Sequence, residues 1–487
     1  MYLKLEVHIV AIGDIIVGLD IGVSKVSCVI GQVNKFSEIE VIGYGLSNNS
    51  GVKKGQIIDI ESVGNSIKKA ISSAEEISEL SINSAYVNIK GMDVRIEKVV
   101  METEVEKPND GLTINDIYSL YSKIQMSINL DKNEKIIDIL PYEYNINGRV
   151  YKEEPVGAFC RTFTMECEVI IANGDYIDSV KKALNYAGLK LDGLILETLA
   201  TSNIVLMPEE KEMGALLIDI GGGHTDISVY KKSKLEFYDT IPVGGDNITN
   251  DIALTFDIPY DEAEKIKKQY NLAIVAMITN NHDVKIPSKL QMNQDYIVKC
   301  SDIVQVIEAR VKEIFQIVKK LISDNKLNSK IDCVVLTGQG ISNIIGTEEL
   351  AMLTLKINQV RICSPKLINI IKPQHTTVYG MVRYISSLGG SKHVNSDVEI
   401  ITNPKFKDKI VDVITIVKEK FKTIFENMKS KSKEFEEIDE IEYNKKEEKI
   451  EKKQKKDKKH KKKKSKEEDY FDIENSEIWG DMNNGKF

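Results

Sequence analysis

The sequence has no stretch approaching the roughly 20 uninterrupted apolar residues that a membrane span needs. Its first residues, MYLKLEVHIVAIGD, break their apolar character with Lys4, Glu6, His8 and Asp14, so neither a signal peptide nor a spanning helix is read there. Cysteine is scarce. Cys28, Cys160, Cys167, Cys300, Cys333 and Cys363 are scattered with no CxxC pair, which argues against a metal site or a disulfide framework. Cys28 and Cys333 fall inside apolar, strand-like runs, and buried, reduced thiols of a cytoplasmic protein are expected. Tryptophan occurs once, at Trp479, in a short apolar island near the end of the chain. A basic body is lacking too: residues 452–466 hold eleven lysines against one acid, Asp457, a local +10 in a chain of net −8, so the rest carries −18. An acidic body with a basic tail segment excludes a typical nucleic-acid-binding domain.

What is present suffices for about three domains, since 487 residues with 42% hydrophobic content can build several cores. The most informative stretch is 215–230, ALLIDIGGGHTDISVY. A buried strand ends at Asp219; Gly221, Gly222 and Gly223 turn the chain; and a second strand begins at His224, Thr225 and Asp226, with Ile227, Val229 and Phe237 facing in. The unobstructed amides of such a turn can hold phosphates, while carboxylates at its two ends, Asp219 and Asp226, can hold a water-coordinated Mg²⁺. A tight hairpin whose glycines serve geometry alone is the plainer alternative.

Residues 15–33 repeat this grammar, with a buried run ending at Asp20, a turn of Gly22, Val23, Ser24 and Lys25, and a following strand. Asp20 stands 199 residues before Asp219. Two such hairpins facing each other would grip a polyphosphate from both sides. Ser24 would donate its hydroxyl and Lys25 would place a cation, where the plainer reading makes Lys25 a solvated turn residue. A third buried run, IDCVVL at 331–336, leads into Thr337, Gly338, Gln339 and Gly340 and an apolar helix start at Ile341. A glycine turn there lets a flat ring approach the backbone, and a simple strand-to-helix turn fits the stretch equally well.

Helical periodicity marks 60–80, 175–186, 261–270 and 302–322, with weaker signals over 273–299. In 261–270, Glu264 and Lys267 share one face, and taken alone they read as a surface ion pair. Residues 84–166 alternate strands with one helix, capped by Thr113 with Asp116 at its third position, and carry an Asn147-Gly148 hairpin turn. This block reads as a small inserted subdomain. The compact fold is expected to end near 388–390. After a polar linker, Phe406, Ile410, Val413, Ile414, Val417, Phe421, Ile424, Phe425 and Met428 form one apolar stripe at helical steps, with lysines filling much of the opposite face. An interfacial helix on anionic lipid is favoured over docking on the body or coiled-coil pairing. The remaining charged tail is expected to be disordered.

In their order and spacing the three loops, LDIGVSK, IDIGGGHTD and VVLTGQG, resemble those of the actin-like ATPase superfamily. Within it, LDIGVSKVSCVIGQV, EPVGAFCRTFTMECEVI and IPVGGDNITNDIA resemble the FtsA family, bacterial division proteins that tether FtsZ filaments to the membrane. The likeness covers residues 15–388. It implies a two-lobed α/β fold of the actin-like, ribonuclease H-like kind. After an extension at 1–14, the first lobe would comprise 15–83 and 167–212, interrupted by an SHS2-like insert at 84–166. The second lobe would span 213–390, with its outer subdomain at about 246–301, then a linker at 391–405, the amphipathic helix at 406–428 and a tail at 429–487.

The resemblance also implies ATP and Mg²⁺ as cofactors. Asp20 and Asp219 would face Mg²⁺ through water. Gly22, Ser24 and Lys25 would contact phosphates from one side, and Gly221 to Gly223, Thr225 and Asp226 from the other. Glu264 and Lys267 would hold the adenosine, overriding the ion-pair reading, and Gly338, Gln339 and Gly340 would border the base and α-phosphate. Glu197 would orient the attacking water in a slow turnover. Implied partners are FtsZ, further copies of the chain in a filament, and the anionic cytoplasmic face of the membrane at the division site. Nucleic acid is not among them.

The chain departs from the family pattern at Val23, where a small hydroxyl residue is usual; at Thr198, where a proline often follows the glutamate; at Gln339, inside a glycine run; and in carrying almost sixty residues beyond Met428. Other members of the superfamily give competing readings. A small-molecule kinase needs an acidic base and a substrate pocket, a DnaK-type chaperone needs a β-rich domain after Gly390, and a type IV pilus assembly homologue would lack an FtsA-type insert.

Overall fold

The computed structural model describes residues 13–387 except 37, 54, 92–93, 288–294, 342 and 364–374. The amphipathic stripe at 406–428, the linker and the tail lie outside the described residues.

Strand β1 (Ile15–Ile21) turns back antiparallel into β2 (Lys25–Val33), which pairs with β3 (Ile39–Asn48). A short ribbon of β4 (Val52–Lys53) and β5 (Gln56–Ile57) leads to α1 (Ile60–Ser78), whose first turn is capped by Asp59 accepting from the Ser62 N–H. Its buried Val63, Ile67, Ala70, Ile71 and Ala74 recur at helical spacing and face the sheet. Strand β6 (Ser84–Ile89) lies parallel to β1 on its other side.

The inserted block follows as β7 (Val94–Glu104), α2 (Ile114–Ser127), β8 (Glu134–Ile146), β9 (Arg149–Tyr151) and β10 (Thr162–Asn173), in an antiparallel sheet of order β7-β10-β8-β9. The Thr113–Asp116 capping box is present, and Asn147 and Gly148 both take positive φ in the β8–β9 turn. Two boundaries differ from the expected 84–166. The run AYVNI within β6 is buried on both faces and hydrogen-bonds inside the first-lobe sheet, so the insert starts beyond Gly91. At the other end β10 runs unbroken past Glu166. Its Cys167, Val169 and Ile171 enter the insert core, and the alternate Ile170 and Ala172 enter the first-lobe core.

Helix α3 (Gly174–Ala187), β11 (Lys190–Leu196), α4 (Glu197–Val205) and α5 (Pro208–Met213) complete the passage to the second lobe. The first-lobe sheet then reads β11-β6-β1-β2-β3. The second lobe repeats the plan: β12 (Ala215–Ile220), β13 (Thr225–Lys231) and β14 (Lys234–Ile241) form a meander, followed by α6 (Gly245–Thr255) and α7 (Tyr260–Gln269). A ribbon of β15 (Asp283–Pro287) and β16 (Asp295–Lys299) precedes α8 (Cys300–Asp324), whose Ile303, Ile307, Val311, Ile314, Phe315 and Val318 line the core. Strand β17 (Cys333–Thr337) lies parallel to β12. Next come α9 (Thr347–Leu355), β18 (Val360–Ile362) and α10 (Thr376–Ser387), giving sheet order β14-β13-β12-β17-β18.

Three further expectations are corrected. Ile341 opens a turn, not a helix: the Ile344 N–H bonds back to the Ile341 carbonyl at 2.8 Å, and α9 begins only after Gly346. Helix α10, expected in the second lobe, packs on the first. Its Val378, Met381, Val382 and Ile385 join Ile16, Val29, Ile195 and Ala200, because Gly18 and Gly31 leave room for Val378 and Val382 on the β1–β2 face. Five of the six cysteines are buried and all six are free thiols, but Cys333 is only half-buried.

Candidate functional site between the two lobes

The two hairpins are built alike. The Gly22 N–H donates to the Lys25 carbonyl at 2.8 Å, and the Gly221 N–H donates to the His224 carbonyl at 3.0 Å. Asp20 stands opposite Ser27 in one, Asp219 opposite Asp226 in the other. This places Lys25 and His224 at equivalent positions. Both turns line one cavity of about 130 Å³, where Gly22, Ser24 and Lys25 join Gly221, Gly222 and Gly223, with Asp20, Asp219 and Glu197 also in the lining.

The second loop is shaped from behind. The Gly245 N–H donates to the Gly221 carbonyl at 2.9 Å and the Asp246 N–H to the Gly222 carbonyl at 2.8 Å. With its carbonyls so engaged, the loop keeps the Gly222 and Gly223 N–H groups without a partner among the described residues. Such amides suit an anion. The third loop closes over it. Gly338 takes φ +98°, and a Cβ there would stand 2.3 Å from the Ile220 carbonyl oxygen and 2.5 Å from Asp219 Oδ1, so only glycine fits. Gly338 and Gln339 line the cavity, and the Gly340 N–H donates to the Ile220 carbonyl at 2.8 Å behind it.

Besides Gly340, four expected residues stand outside the cavity lining. Thr225 Oγ1 donates to the Val243 carbonyl at 2.7 Å. Asp226 is buried beneath the loop, where it accepts from Tyr238 Oη at 2.7 Å and from Thr240 Oγ1 and lies 3.2 Å from His224 Nε2. Glu264 and Lys267 form a 2.6 Å ion pair whose members both bond Thr249 Oγ1, at 2.5 and 2.7 Å, and Lys267 also reaches the Gly245 carbonyl at 3.1 Å. That pair therefore braces the start of α6, which in turn holds Gly221.

Several residues in the lining or bonded to it escaped the sequence reading. Asn88, at the buried end of β6, donates to Asp20 Oδ1 at 2.8 Å and to Glu197 Oε2 at 3.0 Å, and accepts from the Ile21 N–H at 3.1 Å. Lys90 follows it, 3.4 Å from Glu197 and 3.7 Å from Asp20. His224, Asp246, Thr337 and Ser27 also face the cavity, and Ser27 Oγ hydrogen-bonds His375 Nδ1. A buried run that ends abruptly in a polar residue marks Asp20 and Asp219; the same signal at Asn88 and Lys90 would have found both.

Burial dominates the electrostatics. It pushes the Glu197 carboxyl up to about 8, with Lys90 pulling down and the Asp20 and Asp226 charges adding to the rise. Burial and the Asp226 charge push Asp219 up to about 6. For Asp226 burial also works upward, but His224, Thr240 and Tyr238 outweigh it and hold the carboxyl below the usual range. His224 is raised correspondingly, Asp226 overriding its burial, and Lys90 is raised because Glu197 and Asp20 override its own.

Among the described residues the Asp219 carboxylate accepts a hydrogen bond only from Thr201 Oγ1, at 3.4 Å, and no basic nitrogen lies within 4.0 Å of it. A half-buried acid without an adjacent cation, in a cavity with free amides opposite, fits a divalent ion carrying phosphates. Glu197, His224 and Asp226 also bring one ligand atom each within 4.8 Å of the others. Lys90, 3.4 Å from Glu197, already supplies positive charge to that trio.

Two lobes of like topology, facing β-hairpin loops and a third glycine turn define the actin-like ATPase fold. The solved PilM–PilN type IV pilus biogenesis complex shares it at a TM-score of 0.54, over 76% of this chain and 97% of that one, with 15% identity. A model of "Cell division protein FtsA" matches residues 216–380, and one of the "SHS2 domain inserted in FTSA" matches 91–171. Cell division protein FtsA of Pseudomonas aeruginosa is 31% identical over 345 residues, 70% of this chain and 80% of that protein. The Bacillus subtilis protein is 29% identical over 371 residues, 76% and 83% of the two chains. The chain belongs to the FtsA family of cell division proteins.

Proposed function

We propose that this chain binds ATP with Mg²⁺ in the interlobe cavity, assembles with further copies of itself, and attaches FtsZ filaments to the cytoplasmic face of the membrane at the division site. The observation that carries the nucleotide reading is the confrontation of Asp20 and Asp219 across one cavity with the Gly222 and Gly223 amides. Asp20 and Asp219 would hold Mg²⁺ through water. A bound ion would supply positive charge that offsets these acids and the phosphates. Ser24 and Lys25 contact phosphate oxygens from the first lobe, and the Gly221 to Gly223 turn from the second. Gly338 and Gln339 border the nucleoside, and Glu264 and Lys267 set that wall through α6. Binding that touches both lobes favours the closed arrangement of the cleft and so selects the surface offered to neighbours.

Glu197, at the start of α4, is the residue that would orient water and accept its proton. FtsZ would meet the outer part of the second lobe, at about 246–301. The stripe at 406–428 is the membrane contact, and among the described residues no helix is long and apolar enough to cross a membrane. The insert match over 91–171 favours this reading over a pilus assembly role.

Flotation with anionic liposomes tests the attachment. The full chain should float with the vesicles and carry FtsZ with it when ATP is present, and a chain ending at Gly390 should do neither. Full-length protein that stays unbound under every condition would contradict the tether.

A further inference from the structure

Lys90 occupies an unusual place. Its side chain is 12% exposed and lies between Glu197 Oε2 at 3.4 Å and Asp20 Oδ1 at 3.7 Å. Charge-assisted bonds are normally about 2.7–2.9 Å, so both carboxylates hold the ammonium by charge without saturating its three donors. Among the described residues no other acid lies within 4.0 Å of it, and it lines the cavity together with Lys25 and the Gly221 to Gly223 turn.

The next residue leaves the first lobe altogether. A Cβ on Gly91 would stand 2.2 Å from Thr240 Oγ1 and 2.3 Å from Tyr238 Oη, so the backbone is pressed against β14 of the second lobe. Those two hydroxyls are the ones that hold Asp226. Beyond Gly91 the chain enters the insert, which meets β14 again. Lys98 lies 2.9 Å from Glu236, Lys234 lies 3.2 Å from Glu143 and 3.1 Å from Glu166, and the Leu235 N–H donates to Tyr142 Oη at 3.1 Å. One short segment thus touches the acids of the first lobe, the sheet of the second and the root of the insert.

We propose that Lys90 is a ligand of the terminal phosphate of the bound nucleoside triphosphate, and that it passes the presence of that phosphate to the insert through Gly91. This rests on the nucleotide reading above. A third phosphate entering the cavity offers the ammonium closer partners than its present 3.4 and 3.7 Å contacts. Moving Lys90 toward it draws on the Gly91 junction and on the insert's ion pairs with β14. A diphosphate, lacking that group, leaves Lys90 with Glu197 and Asp20. If Lys90 were only a counter-ion to these acids, removing it would affect both nucleotides alike.

The test compares the affinities of the full chain for ADP and for a non-hydrolysable ATP analogue, each with Mg²⁺, in the wild type, Lys90→Met and Lys90→Arg. Lys90→Met should lose about tenfold or more for the triphosphate and less than about threefold for ADP, whose binding also reports that the variant is folded. Lys90→Arg should retain most of the preference. An unchanged triphosphate-to-diphosphate ratio in both variants overturns the assignment, whereas a wild type that binds neither nucleotide overturns the nucleotide reading beneath it. Amide exchange in β7 is the second readout. It should differ between the two nucleotides in the wild type and cease to differ in Lys90→Met; exchange that ignores the nucleotide in the wild type overturns the link to the insert.

Discussion

His224 Nε2 lies 3.2 Å from Asp226 Oδ2, with both side chains buried under the second glycine loop. Asp226 raises the proton affinity of His224 above its ordinary value. A group whose folded-state pKa is raised contributes stability that is complete below its unfolded value of about 6.5 and is lost as pH rises through the folded value. His224→Gln should therefore cost about 1–2 kcal/mol at pH 6 and progressively less as pH rises above 7. Denaturant unfolding at a series of pH values checks this, and a cost independent of pH would remove the ion pair from the argument.

The Gly338 turn should be intolerant for a steric reason separable from φ. Gly338→Ala forces a Cβ to 2.3 Å from the Ile220 carbonyl and should destabilise the chain by about 3 kcal/mol or more. Gly148→Ala, also at positive φ but with nothing within 4 Å of the new Cβ, should cost only about 1 kcal/mol. Thermal unfolding of the two variants measures the difference.

Much of this architecture was legible in the sequence because it is local. A buried run, an acid and a glycine turn announce each loop at 20–25, 219–226 and 337–340, and Thr113 with Asp116 announces α2. What was hidden depends on pairings distant in sequence. Asn88 and Lys90 join the site only because β6 lies parallel to β1, with Leu19 opposite Val87. Helix α10 returns to the first lobe because of the space above Gly18 and Gly31, which no periodicity reveals. The alternating faces of β10 serve two cores, so a boundary drawn at Glu166 divides a continuous strand.

Glu197, like His224, loses stability as pH rises, but replacing it should gain stability where replacing His224 costs it. Burial raises it from 4.5 to about 8, so between those values the folded chain keeps a proton that the unfolded chain has released. Stability falls across that window as pH rises. Glu197→Gln, unable to ionise, should escape the fall: near pH 4.5 it should match the wild type, and at pH 8.5 it should be more stable by about 1–3 kcal/mol. Wild type and variant falling in parallel would show that Glu197 ionises normally.

The Glu264–Lys267 pair should act on the site through α6. Lys267 and Thr249 hold the Glu264 carboxyl below the usual range against its burial. Lys267→Met should cost about 1–2 kcal/mol, and less when combined with Glu264→Gln, since the single variant leaves that acid only Thr249 and the exposed Lys268. A double-mutant cycle gives the coupling. Nucleotide affinity should weaken in the single variant, because the Gly245 carbonyl that Lys267 holds belongs to the residue whose N–H fixes Gly221.

The most direct measurement of the interlobe site is calorimetric titration of the full chain with ATP and Mg²⁺, repeated for Asp20→Asn and Asp219→Asn. One nucleotide should bind per chain in a Mg²⁺-dependent manner, and each substitution, one from each lobe, should weaken binding by about tenfold or more. A wild-type chain that binds no nucleotide, or variants that bind it as well as the wild type does, would contradict a site clamped between the two hairpins.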